Sequence, residues 1–165
     1  MANSTNPGLD VDGAVQAEVF VLWLDDATPR LTGPCGAEPW YLEIGAQQDP
    51  LDVVAAATRR VVGEPVVVHS TSWRTDRGGV VLSFVAVIDA AVVRSLAAIP
   101  VERRDLARSG ATTAPESIAY QQVLEHGLRH LAWLVQDDEL VAERLSGGWS
   151  AVLAGYLPEP FRNLH

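Results

Sequence analysis

Residues Trp40 to Pro65 read WYLEIGAQQDPLDVVAAATRRVVGEP, and the rest of the fold is organised around them. The stretch opens on an apolar run, turns at Gly45, crosses a polar loop and enters a helix whose start and stop are both marked. Asp49 is placed to cap the orphan amides of the first turn, Pro50 has its backbone angle already set, and Gly63 suits a left-handed residue after the last turn. The helix spans about three and a half turns at 3.6 residues per turn. Leu51, Val54, Ala55, Thr58 and Val62 recur at three- and four-residue intervals, with Val53, Ala56 and Ala57 widening that face and Asp52, Arg59 and Arg60 pointing elsewhere. This pattern predicts a helix packed on a sheet and covered over much of its circumference.

On the N-terminal side, AEVFVLWL from Ala17 to Leu24 is dense in β-branched and aromatic residues and closes on Asp25-Asp26, which predicts a buried strand. Pro29 to Thr32 reads as a short returning strand, and Trp40 to Ile44 as the strand that feeds the helix. On the C-terminal side, Pro65 to Arg74 and Gly79 to Ile88 are joined through Thr75-Asp76-Arg77-Gly78, a connection short enough to make them an antiparallel hairpin. The second of these strands lacks clean alternation, so both its faces are expected to be covered. Asp89 is read as opening a helix over AAVVRSLAAI that Pro100 stops, followed by a charged loop. Further helices are predicted over Glu116 to Val135, Asp137 to Leu145 and Trp149 to Tyr156. Strands in the first half, helices in the second and one helix between strands give an α+β class, an α/β/α sandwich around a mixed sheet. Residues 1–14 are read as a loose polar tail and 15–165 as a single domain with helices after residue 89.

Composition narrows the function classes. The formal charge of −9 argues against nucleic-acid binding, which needs a basic surface to displace counterions from phosphates. All twelve basic residues are arginine. The single Cys35 excludes an intramolecular disulfide and any multi-cysteine metal site, and points to an intracellular, cytoplasmic setting. No apolar run reaches the roughly 20 residues that span a bilayer, and the opening MANSTNPGLDVDG has neither the basic nor the apolar part of a signal peptide.

The order strand, tryptophan-x-leucine, glycine, loop, proline-started helix, glycine, strand, hairpin resembles the Nudix domain over about Ala17 to Ile88. Trp40, Leu42 and Gly45 fall where that family reads W-x-L-P-G-G. The resemblance implies a Nudix-like mixed sheet and a box helix whose glutamates would bind Mg²⁺ or Mn²⁺ to cleave a nucleoside diphosphate linked to another group, because hard cations want oxygen ligands and the pyrophosphate must be neutralised. Two registers fit. Counting from Gly45 puts Arg59 on the box arginine and Glu64 on one glutamate, with Leu51, Arg60 and Gly63 replacing the others and Val66 the closing glycine. Anchoring on Pro50 and Gly63 puts Ala56 on the arginine and Ala57, Arg60 and Val61 on glutamate positions. The second agrees with both helix ends and is preferred. Neither retains a metal site, and Arg60 at such a position would repel a cation.

Other constellations have plainer readings. His126 and His130 are one helical turn apart beside Glu125, a spacing that suits a metal but lacks a third ligand at motif distance, so they read as partly buried residues. His69 reads as a packed strand residue, Asp137-Asp138-Glu139 as acids favoured by a helix start, Asp25-Asp26 as a turn, and Cys35 as an ordinary thiol without a base. Arg59, Arg60, Trp73 and Arg74 are the ligand-binding candidates, the arginines for phosphate and Trp73 for a pocket wall. Most of the five tryptophans are expected in the core. The leading expectation is a Nudix-like domain without hydrolase activity, catalytic residues or cofactor, serving as a binding module for a nucleotide-type small molecule or as an assembly module. It is expected to be a homo-oligomer through its helical half, with no nucleic-acid or membrane partner. The alternatives are an active hydrolase with relocated carboxylates, Glu64, Glu43 or Asp52, and an unrelated mixed-sheet scaffold.

Overall fold

The computed structural model describes residues 13–93, 95–106, 117–145 and 147–158. Strand β1, Val15–Asp25, is its axis. One side of β1 is paired along most of its length with the parallel strand β5, Gly79–Ile88. Its other side is shared by two antiparallel partners, β3, Trp40–Ile44, against residues 15–19 and β2, Thr28–Thr32, against residues 21–25. Strand β4, Pro65–Asp76, pairs antiparallel with β5 as the predicted hairpin and forms one edge, while β6, Ala98–Pro100, closes the other against β2. The result is a six-stranded mixed sheet in an α+β fold.

Both faces of the sheet are covered, which explains the unbroken apolar runs of β1 and β5. Helix α1, Pro50–Val61, and the single turn α2, Ala90–Val93, lie on one face, where Val54, Val62 and Val93 meet Ala17, Val19, Val21, Trp23, Phe84, Ala86 and Ile88. Helix α3, Tyr120–Asp137, with the short α4, Glu139–Arg144, and α5, Gly148–Leu153, covers the other. There Leu124, Leu128 and Leu131 pack on Phe20, Leu22, Val85 and Val87, and Leu145, Trp149 and Leu153 seal the end. Gly127 brings the α3 backbone close to the sheet, since a Cβ there would come within 2.9 Å of Val85 Cγ1. Among the described residues no helix is long and apolar enough to cross a membrane.

The ends of α1 follow the sequence expectation. Asp49 Oδ1 accepts from the amides of Leu51 and Asp52 at 2.8 and 3.3 Å, and Gly63 has φ of 148°. Alanine at Gly63 would also set its Cβ 2.4 Å from Val92 Cγ1.

Other expectations need correction. Leu51 does not face the sheet: it is 45% exposed, and Ala56 and Val61 are exposed too, so α1 is covered on one side only. Its first turn stands over the edge strand, leaving a groove of about 360 Å³ between Pro50, Leu51, Val68, Leu82 and Phe84. The helix read over residues 90–99 stops after Val93, although Asp89 does accept from the Ala91 amide. Ala98 to Pro100 instead extend the sheet, with Ile99 opposite Leu31. So short a helix has little stability of its own, and pairing with β2 outweighs it. Trp23 and Trp149 are core residues, but Trp73 is 70% exposed. The predicted start of the long helix at Glu116 and most of the tail lie outside the described residues.

Candidate functional site

Sequence candidates fall on both faces of the sheet, and the structure does not bring them together. Arg59 and Arg60 sit in the last turn of α1, in solvent. Arg59 is paired with Glu64, donating through Nε and, at 3.2 Å, through Nη2. The hydrogen bond from Arg59 holds the Glu64 carboxyl below its ordinary range. Ala57, on a glutamate position of the preferred register, is buried against the sheet, while Arg60 and Val61 face outward. Glu43 and Asp52 are also exposed, but Glu43 shares the side of β3 that bears Tyr41, opposite to the side covered by α1. Glu64, Glu43 and Asp52 therefore do not converge. Among the described residues no group of three or more histidine, cysteine, aspartate or glutamate side chains is disposed to hold a metal ion.

Trp73 and Arg74 are neighbours in β4 and so point to opposite faces. Trp73, opposite Leu82, lies on the α1 face. Arg74 turns to the other side and meets Glu18, a residue of β1 that is only 1% exposed. The contact is bidentate, Nη1 to Oε2 at 2.7 Å and Nη2 to Oε1 at 3.0 Å. Tyr41 on β3 donates its hydroxyl to Oε1 at 2.8 Å, and Ser83 on β5 donates to Oε2 at 3.2 Å. Four strands thus each contribute one member of a polar cluster around the buried Glu18 carboxylate. Burial, and then the bond to Glu18, pushes the Tyr41 hydroxyl up to about 12, and the same carboxylate raises Arg74. Arg74 is consequently engaged within the protein, with its guanidinium fork directed at Glu18.

A second carboxylate, Glu125 on α3, is equally buried. Arg129 reaches it at 3.0 Å, Arg103 at 3.2 and 3.3 Å, and the amide of Arg104 at 3.2 Å. The Arg103 guanidinium also lies 3.9 Å over the ring of Tyr156. This knot fastens the segment after β6 and the chain after α5 to α3. Beside it, Leu31, Pro100, Val101, Tyr120 and Leu124 line an open cavity of about 250 Å³.

The third polar group is a row of imidazoles. His126 and His130 stand with ring centroids 4.6 Å apart, and His69 of β4 lies 5.9 Å from His130. The Nε2 of His69 is buried with no hydrogen-bond partner among the described residues. Burial lowers the titration of His69, and burial followed by the charges of His126 and His69 lowers His130 to about 4.

Sequence reasoning missed Glu18 and the meeting of His69 with the α3 histidines, and it placed Glu125 only beside those histidines, not in its buried contact with Arg103 and Arg129. Glu18 did leave a signal: it is a lone carboxylate within AEVFVLWL, and an acid that a strand buries needs a cation. No known family and no curated protein matches the chain.

Proposed function

We propose that the chain is a Nudix-like domain that has lost metal-dependent diphosphohydrolase chemistry and is retained as a homo-oligomeric binding module for a nucleotide-type small molecule. One observation carries this reading: the carboxylates near the box-like helix are dispersed or already engaged. Asp49 caps α1, Glu64 is held by Arg59, Glu18 is enclosed by Arg74, Tyr41 and Ser83, and Glu43 lies on the opposite side of the sheet from Asp52. A diphosphohydrolase needs several oxygen ligands around one ion to neutralise and orient its substrate. The exposed indole of Trp73 and the apolar groove beneath Pro50 and Leu51 offer a planar ligand a contact on the same face of the sheet.

The test is a thermal-shift titration of the full chain with nucleoside diphosphate sugars, dinucleotides and nucleoside triphosphates, with and without Mg²⁺ or Mn²⁺, followed by phosphate release on each compound that binds. Ligand at 100 times its dissociation constant stabilises the native state by about 2.7 kcal/mol. The expected result is stabilisation that does not depend on metal, is reduced in Trp73→Ala and occurs without phosphate release. Metal-dependent turnover would overturn the reading and direct attention to Glu64, Glu43 and Asp52.

A further inference from the structure

The sheet ends on unequal edges. On one side β6 is three residues long; on the other β4 runs for twelve, Pro65–Asp76, with no strand beyond it among the described residues. An edge strand presents a row of unpaired N–H and C=O groups, and natural sheets guard a long one with charged side chains, proline or cover. From Val66 to Trp73 β4 carries no proline, carboxylate, lysine or arginine. It carries instead Trp73, 70% exposed, the exposed Ser70 and the half-buried Val66 and Val68. Its pairing with β5 shifts register between Ser70 and Ser72, so Ser70 stands opposite Phe84 and Trp73 opposite Leu82. Both therefore lie on the α1 face although they are three residues apart.

We infer that two copies of the chain join antiparallel through their β4 edges, with the indole of Trp73 from one copy closing the open side of the α1 groove on the other. The inference rests on the homo-oligomeric part of the reading above and assigns that assembly to a sheet edge. A two-fold axis normal to the sheet, passing between Thr71 and Ser72, sets Trp73 of each copy opposite Ser70 of the other and keeps both α1 faces on one side. Ser70 lines the groove together with Pro50, Leu51, Val68, Leu82 and Phe84, whereas Trp73 does not line the groove of its own chain. The indole thus completes the neighbouring site, and a planar ligand in that groove is covered by a ring from the other copy.

Charge selects a second copy as the occupant of this edge. The same register carries Asp76 and Arg77, at the exposed hairpin turn, to the start of the opposite β4. Arg77 comes beside Val66 and one diagonal step from Glu64, within reach of a long side chain. Glu64 and Arg60 stand in solvent at that end, so an acid and a base from each copy meet there. The contact forms twice, once at each end of the joint, and offsets the repulsion between two chains of formal charge −9.

The test is sedimentation equilibrium of the full chain over a wide concentration range for wild type, Trp73→Glu and Ser70→Glu, with circular dichroism to follow the fold. Both substitutions fall on exposed side chains. A wild-type dimer is expected, with its dissociation constant raised roughly tenfold or more in each variant. In wild type, raising the protein concentration should slow amide exchange in β4 and leave α3 unchanged. A wild-type monomer at every concentration overturns this inference together with the homo-oligomeric part of the reading above, while nucleotide stabilisation of that monomer would keep its binding part. A dimer that both variants leave intact, or one whose formation protects α3 instead of β4, overturns this inference alone. Should both variants misfold, the exchange comparison on wild type decides.

Discussion

Over α1 an ion pair, Arg59 with Glu64, lies in solvent with both side chains more than half exposed, whereas beneath and within α3 Glu18 and Glu125 are each 1% exposed and clasped by arginine. The two faces of one sheet therefore place charge under opposite physical conditions. On the α1 face, charge is screened and the helix rests on an apolar strip of Val54, Ala57 and Val62. On the α3 face, the carboxylates of Glu18 and Glu125 are desolvated and depend on partners from distant elements, although Tyr41 and Arg103 themselves reach solvent. Helix α1 and its exposed ion pair occupy the first face, and most of the buried polar side chains among the described residues occupy the second.

The sharpest way to break this comparison is to remove Glu18. Glu18→Ala leaves the partly buried Arg74 without its carboxylate and takes an acceptor from Tyr41 and Ser83. The expected loss is about 3 kcal/mol, near the lower end for breaking a buried pair because part of the Arg74 head reaches water. The urea midpoint measures it. The double change Glu18→Leu with Arg74→Met should recover much of the loss, since an apolar pair removes both desolvated charges. A Glu18→Ala protein as stable as wild type would mean that the cluster is wetter than its burial indicates, and the contrast between faces would fail.

The same contrast explains what could be read from the chain. Strand β1, the hairpin of β4 and β5 and both ends of α1 were legible because their signals are local: an apolar run, a glycine turn, Asp49-Pro50 and Gly63. The pairing of Glu18 with Arg74 spans 56 residues, and no local pattern announces it. His69 reads as one packed strand residue until the sheet and α3 bring it beside His130. The strand β6 was hidden for a related reason, since Ala98 to Pro100 become a strand only once β2 offers an edge. Periodicity puts Leu51 on the buried side although it is exposed, because it gives a helix its apolar face but not how far the helix extends beyond its sheet.

A smaller effect is expected at the start of α1. Asp49→Ala removes the acceptor for two first-turn amides and should cost about 1 kcal/mol in the same denaturation assay. Asp49→Asn should restore most of it, because the lost element is a hydrogen-bond acceptor more than a charge. This sharpens the comparison, as it assigns the local α1 contribution to capping and burial. A loss as large as that of Glu18→Ala would show that α1 holds the fold through more than its own turn.

The smallest effect should come from Glu64→Ala. Both members of the pair stand in solvent, where mutual attraction is screened and offset by the entropy of fixing two long side chains. The urea midpoint at physiological salt should not change measurably, and adding salt should not separate the variant from wild type. Arg59 lowers the titration of Glu64, so any contribution of the pair is present above the unfolded value of the carboxyl and fades as pH falls through the folded one. A measurable loss at pH 7 that disappears on acidification would show that Glu64 anchors the turn at Gly63, and the α1 face would then depend on charge as the α3 face does.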